Sequence, residues 1–336
     1  MKKKAKLEPI CTILLLLAYD NKKICCEVFF IYLYKYAIIG GDVRQKLILE
    51  ELSKHFNCTH FGVVDGEALP NVAQTLELAI RNAESIILPI PMHRGNNLNI
   101  HSETAYHMKE LISYMKKGQT VFAGCISREF RELLEHKGVQ YFDFMEQTEI
   151  SIYNSIATAE GLIAEMILAS PENLHGNKVL ILGYGTCAKT IASKLKGLHV
   201  NTCVCARKKS ALMEACAMGH EIENISHLSE IISHYSIIIN TIPSQILQGE
   251  ILEKINAKSS IFEIASYPYG IDIEAANKYS FNVNLCMSLP AKYAPVSSAN
   301  ILTQFILKTS AQVSRRIHAA TLPKQDTANS NDGGML

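Results

Sequence analysis

The sequence predicts an α/β protein of two domains, each built on a doubly wound parallel sheet. Three observations carry that expectation. From Tyr36 to Cys286, short apolar runs alternate with segments of helical period, the pattern of a parallel sheet with helices on both faces. The apolar run Val179–Leu182 meets Gly183, Gly185 and Ala188 before a helical segment, which gives G-x-G-x-x-A between a strand and a helix. With 336 residues and 48% hydrophobic content, the chain can supply about two cores.

The glycine-containing turn is the most informative stretch. Gly183 permits a tight turn, Gly185 leaves no side chain between backbone and ligand, and Ala188 lets the helix lie close to the strand. The helix start offers N–H groups and a partial positive charge to a pyrophosphate. This is the fingerprint of a Rossmann dinucleotide-binding domain. Gly183, Gly185, Thr186, Cys187 and Ala188 are the candidate contacts. A helix N-terminus could lower the Cys187 pKa, although a bystander thiol is the simpler reading.

Composition narrows the partners. A net charge of +1 gives no electrostatic ground for nucleic acid or an anionic membrane. Ten cysteines are scattered without C-x-x-C spacing, so they read as reduced thiols, and no metal is expected. Residues 1–34 begin basic and turn apolar at Ile10–Tyr19, but no small-x-small cleavage site follows and the run is too short to span a bilayer. They are expected to be a non-native or poorly ordered extension.

Residues 35–150 read as a flavodoxin-like domain. Its strands are expected at Tyr36–Ile39, His60–Val64, Ser85–Leu88, Thr120–Ala123 and Val139–Phe142. Helices are expected at Val43–Phe56, near Val72–Arg81, and at Thr104–Met115 and Arg128–Glu135. The first turn, Gly40–Gln45, has paired glycines but no fingerprint. It places Arg44 at a strand's carboxyl end, where it could pair with a carboxylate or lie on the surface. His93 and Arg94, on a polar loop at 89–97, are weaker candidates. A helix near 152–170 then carries Asn154, Ser155, Thr158 and Glu160 at its crowded start. Glu160, at the expected domain boundary, is the candidate for proton transfer, with Glu146 behind it. Thr158 and Asn154 are candidate donors to a substrate carboxylate.

Residues 151–296 read as the Rossmann domain, with six strands at Lys178–Leu182, Asn201–Ala206, Glu221–Ile225, Ile237–Thr241, Ser260–Ile264 and Asn282–Cys286. The second strand decides the cofactor. An NAD site usually has a carboxylate at its end to accept from the ribose 2′-OH. Here the chain reads Ala206-Arg207-Lys208-Lys209-Ser210. A cluster of cations suits a 2′-phosphate, so NADP is expected, with Arg207 and Lys208 as contacts; a solvated basic turn is the competing reading. Thr241, Pro243 and Ser266, in the turns after strands four and five, should border the nicotinamide half. Residues 297–308 are expected to form a helix returning to the first domain, and residues 309–336 a disordered tail.

The motifs Ile38–Gln45, Ile152–Gly161, Leu182–Gly185, Ile239–Ser244, Ala265-Ser266 and Leu289-Pro290…Ala294-Pro295 together resemble the family of the dipicolinate synthase A subunit. The resemblance covers about residues 35–307. It implies a cytoplasmic enzyme, in the mother cell of a sporulating bacterium, that oxidises a dihydrodipicolinate-type precursor to pyridine-2,6-dicarboxylate. It also implies partnership with a flavoprotein B subunit, while a homo-oligomer stays open. Ala157, Ala291, Ala299 and Ser297-Ser298 depart from the family pattern. Two other readings stand beside it. A D-2-hydroxy acid dehydrogenase would need an Arg after strand four and a late His. Asn240–Ser244 contains no Arg, and no His lies between His234 and His318. A cofactor-sensing or scaffold subunit for a redox partner is the reading from a different class.

Overall fold

The structure is a computed structural model in which residues 32–95, 97–279 and 281–321 are described. The expected N-terminal extension up to residue 31, and the last part of the expected tail from residue 322, lie outside those residues. From Tyr34 onward the chain is organised around two parallel sheets.

The first sheet contains β1 (Tyr34–Ile39), β2 (Cys58–Phe61), β3 (Ala83–Ile87), β6 (Thr120–Ala123) and β7 (Gln140–Asp143). Their order is β2-β1-β3-β6-β7, the flavodoxin-like winding. Between β3 and β6 the chain makes a small antiparallel hairpin, β4 (His93–Arg94) with β5 (Asn97–Leu98), where the sequence predicts only a polar loop. In β1, Ala37, Ile38 and Ile39 are fully buried because helices cover the sheet on both faces. That double cover is why these strands read as continuous apolar runs rather than alternating ones.

The second sheet contains β8 (Lys178–Leu182), β9 (Asn201–Ala206), β10 (Glu221–Asn224), β11 (Ile237–Asn240), β12 (Ser260–Glu263) and β13 (Asn282–Leu285). The order β10-β9-β8-β11-β12-β13 reverses direction between β8 and β11. That reversal is the switch point at which doubly wound sheets open a crevice. The fingerprint helix, Thr186–Gly197, buries Ala188, Ile191, Ala192 and Leu195 against this sheet. The connecting helix, Thr148–Ala169, packs along it, burying Ala159, Leu162 and Met166 in the same core.

The C-terminal helix differs from expectation. It runs from Pro295 to Thr321, well past the expected end at residue 308, so residues 309–321 are helical rather than a disordered tail. The reason is packing that the polar composition hid. Thr309, Ser310 and Val313 remain buried along the same face as Leu302 and Ile306. Leu302 and Ile306 join the core of Ile48, Leu49, Phe144 and Ile150 on the first sheet, and Phe305 meets Phe122, Phe142 and Phe144 edge-on.

This contact yields a stability prediction. Ile306 is fully buried, so Ile306→Ala should cost about 2–5 kcal/mol, read as a lowered denaturation midpoint. A midpoint that does not move would show that the helix is not part of the first domain's core.

Candidate functional site

The carboxyl end of the second sheet builds a cradle from three turns. The first follows β8. Gly183 has φ +94°, and its amide donates to the Cys205 carbonyl on β9 at 2.9 Å. A Cβ there would lie 2.6 Å from the Thr241 hydroxyl oxygen and 2.9 Å from Ile242. Glycine is thus required both by the backbone and by the close approach of the β11 turn. Gly185 is different. Its φ of −85° suits any residue, and a Cβ there would meet nothing within 4 Å. No protein packing explains it, and it faces open space at the start of the fingerprint helix. Among the described residues no side chain caps that helix, and no acidic residue stands in its first turn. Uncapped N–H groups, a partial positive charge and a vacant approach are the features that receive a pyrophosphate. Ala188 is fully buried, as the close strand–helix packing demands.

The second turn follows β9. Arg207, Lys208 and Lys209 are exposed, and among the described residues none of them forms an ion pair. They lie on the β9 side of β8. The third group lies on the other side, after β11 and β12. Thr241 donates its hydroxyl to the Leu182 carbonyl at 2.7 Å, so its proton is committed to joining β11 to β8. Pro243 and Ser266 are exposed at the tips of their turns. The residue types thus separate into a cationic side and a neutral polar side about the switch point.

Cys187 is half-buried in the first turn of the fingerprint helix. Burial pushes its thiol pKa up.

The candidates for substrate chemistry fare less well. Arg44 is buried rather than exposed. It forms a bidentate pair with Asp42 at 2.9 and 2.7 Å and donates to the Ile90 carbonyl at 2.8 Å. Asp42 also caps the helix that starts at Val43. Arg44 therefore holds the Pro89–Met92 loop in place and is not a free carboxylate receptor. The sheet end beside it is filled by the chain itself. The Gly41 amide donates to the Asn99 carbonyl at 2.8 Å, and the His101 amide donates to the Gly62 carbonyl at 3.0 Å. A Cβ on Gly40 or Gly62 would collide with the Asn99–Ile100 segment. His93 sits in the β4–β5 hairpin, where Nδ1 is 3.0 Å from the Gly95 carbonyl; Arg94 follows it.

Glu160 is engaged on a neighbouring helix. It pairs with Lys194 at 2.9 Å on the flank of the fingerprint helix. Ser155 bonds Thr190 at 2.7 Å, so the two helices run side by side in the same direction. Lys194 lies about 12 Å beyond the helix start at 1.5 Å per residue, which places Glu160 away from the strand ends. Gly161 beside it is explained by packing, since a Cβ there would lie 2.7 Å from the Tyr293 ring. Thr158 is buried and donates to the Asn154 carbonyl of its own helix. Asn154 is half-buried, level with the first turn of the fingerprint helix, and its side chain has no hydrogen bond among the described residues. Glu146 is held by Arg131, which also binds Asp143. Ser298 is buried and directs its hydroxyl to the Pro290 carbonyl, a structural position.

Sequence reasoning missed Glu263 and Asn240, both fully buried at the strand ends beneath the β11 and β12 turns. The signal was present in the Asn at the end of one strand and the Glu at the end of its neighbour, in an otherwise apolar register.

This is the site of a two-domain α/β protein whose second domain carries the Rossmann fingerprint turn at its switch point. Known proteins agree. The family model for the N-terminal domain of the dipicolinate synthase A subunit matches residues 35–145, and "Acetohydroxy acid isomeroreductase, NADPH-binding domain" matches residues 173–292. The dipicolinate synthase A subunit of Bacillus subtilis is 29% identical over 291 residues, covering 83% of this chain and 96% of the relative. The crystal structure of that B. subtilis protein superposes with a TM-score of 0.72 at 28% identity, covering 84% of this chain and 97% of that one. The structure of the Bacillus halodurans A subunit gives 0.71 at 25%, covering 83% and 98%. Over most of its length the chain is similar to dipicolinate synthase A subunits.

The two glycines separate fold from ligand. Gly183→Ala should lower the melting temperature, because its backbone conformation and the approach of Thr241 both reject a side chain. Gly185→Ala should leave the melting temperature within a degree or two while weakening dinucleotide binding at least about tenfold, since the methyl group enters only ligand space. Thermal melts and calorimetric titration of both variants check the pair.

Proposed function

We propose that this chain is the catalytic A subunit of a dipicolinate synthase, oxidising a dihydrodipicolinate-type precursor to pyridine-2,6-dicarboxylate with NADP. The observation that carries the reading is the pairing of an open, uncapped fingerprint turn with an unpaired Arg207-Lys208-Lys209 turn across the switch point. The basic turn supports NADP over NAD, because a 2′-phosphate supplies the charge those side chains lack among their neighbours.

NADP supplies a hydride acceptor when bound. The residues of the chain do the rest. The start of the fingerprint helix binds the pyrophosphate, and Gly185 allows the approach. The turns after β11 and β12 border the other half. The substrate loses a hydride from a ring carbon and a proton from its neighbour, and the ring becomes aromatic. Aromatisation drives the step, so the proton acceptor can be weak. Among the described residues the side chains of Asn154 and Ser266 form no hydrogen bond, and they are the proposed donors to a substrate carboxylate. Arg44 and Glu160 are not part of this proposal. A flavoprotein B subunit is the proposed partner, and the cytoplasm of the mother cell the proposed location. Among the described residues no helix is long and apolar enough to cross a membrane.

The test is turnover of the precursor by the purified chain, with and without its B-type partner, followed by ultraviolet absorbance of the aromatic product. Product formation that requires NADP supports the reading. Binding of NADP without turnover in either case would instead leave the chain as a cofactor-binding subunit of the partner. Arg207→Asp should weaken NADP by about 10- to 100-fold, the equivalent of one charged hydrogen bond, and weaken NAD far less. Equal losses for both cofactors would contradict the role of the basic turn.

A further inference from the structure

Among the described residues no cation pairs with the Glu263 carboxylate, yet it is fully buried. It ends β12, where the neighbouring strand β11 ends in Asn240, also fully buried. The Asn240 amide nitrogen lies 2.9 Å and 2.8 Å from the two Glu263 carboxylate oxygens. The Ala265 amide donates to one of those oxygens at 2.8 Å, and the Gly270 amide donates to the other at 3.0 Å. Burial pushes the Glu263 pKa up, and these hydrogen bonds act against that push. Every partner is an N–H donor, so the anion is the form the site fits at neutral pH.

The donors come from two turns. Asn240 also donates to the Ile242 carbonyl at 3.0 Å and accepts from the Ile242 amide at 3.2 Å, fixing the start of the β11 turn. Ala265 and Gly270 are the two ends of the β12 turn. The Gly270 carbonyl then accepts from the Ile246 and Leu247 amides at 2.9 and 2.8 Å, tying the second turn back to the first. A side chain on Gly270 would collide with the Asn240 amide and the Ile242 carbonyl, so the junction admits only glycine. The tip of the β12 turn, Ser266, Tyr267 and Pro268, is exposed while its base is buried. One buried anion therefore sets the spacing of two turns whose tips stand at the strand ends. These turns lie on the far side of β8 from the basic turn after β9. In a dinucleotide laid across the switch point, that is the nicotinamide half.

A buried charge is an expensive way to stabilise a core, since apolar residues of the same volume often serve as well. What a carboxylate adds is direction: several N–H groups must converge on two oxygens. We propose that Glu263 and Asn240 are a positioning pair that sets the nicotinamide subsite, acting through the Thr241–Ser244 and Ala265–Gly270 turns and contributing nothing to the adenosine half. This inference deepens the dinucleotide reading given above and rests on it.

The test uses Glu263→Gln, which keeps shape but replaces an acceptor oxygen with a donor facing backbone N–H groups. Two probes are titrated into the full chain: NADP, and adenosine 2′,5′-bisphosphate, which lacks the nicotinamide mononucleotide half. The expected result is a loss of at least tenfold for NADP with less than a twofold change for the bisphosphate. Asn240→Ala, which removes one donor and leaves the carboxylate, should show the same split to a smaller degree. Equal losses for both probes, or no loss for either, overturn the positioning role. Failure of both variants to fold assigns the pair to the fold and overturns it too. If the unaltered chain binds neither probe, the dinucleotide reading itself falls, and that outcome is seen before any variant is made.

Discussion

The architecture of the second domain depends on one close approach, the contact of Gly183 with the Thr241 turn. Gly183 bonds to β9 through its amide, while Thr241 bonds to the residue before it, Leu182, through both amide and hydroxyl. Three adjacent strands are thereby fastened at the point where strand order reverses. A side chain at Gly183 would force that junction apart. With the junction closed, the fingerprint helix starts immediately above it with uncapped N–H groups. The basic turn after β9 and the neutral turns after β11 and β12 then stand on opposite sides. The division of the site into a cationic half and a polar half follows from topology, not from any single residue.

The two sheets share a design but differ in what occupies their strand ends. In the first domain the chain returns over its own crevice. Asn99–His101 bonds to Gly41 and Gly62, and Arg44 is drawn into Asp42 and the Ile90 carbonyl. In the second domain the equivalent place is open above Gly185. The connecting helix and the C-terminal helix join the two, the first packing on the Rossmann core and the second on the flavodoxin-like core.

Much of this was legible in the sequence, and the limits have physical causes. Strands β6, β8 and β9 occur at the expected residues because doubly covered strands are continuous apolar runs bounded by turns. Gly183, Gly185 and Ala188 were readable because each answers a local steric demand. Side-chain commitments were not. Arg44 looked like a receptor because the sequence shows a cation at a strand end but not the Asp42 and Ile90 groups that fold back onto it. Glu160 looked like a cleft residue, but its partner Lys194 is 34 positions away. The sequence ends the C-terminal helix too early because the burial of Thr309 and Ser310 comes from tertiary packing, which a polar composition conceals. Glu263 was overlooked for the opposite reason. A charge inside an apolar strand is meaningful only once the turns donating to it are known.

The central claim is that a nicotinamide dinucleotide lies across the β8–β11 switch point. Amide hydrogen exchange of the full chain, with and without saturating NADP, tests it most directly. The account predicts added protection in four separated stretches, 183–188, 206–210, 241–244 and 266–270, and no change in the 40–44 turn that Asn99 covers. Protection confined to the first domain, or absent from the fingerprint turn, would contradict it.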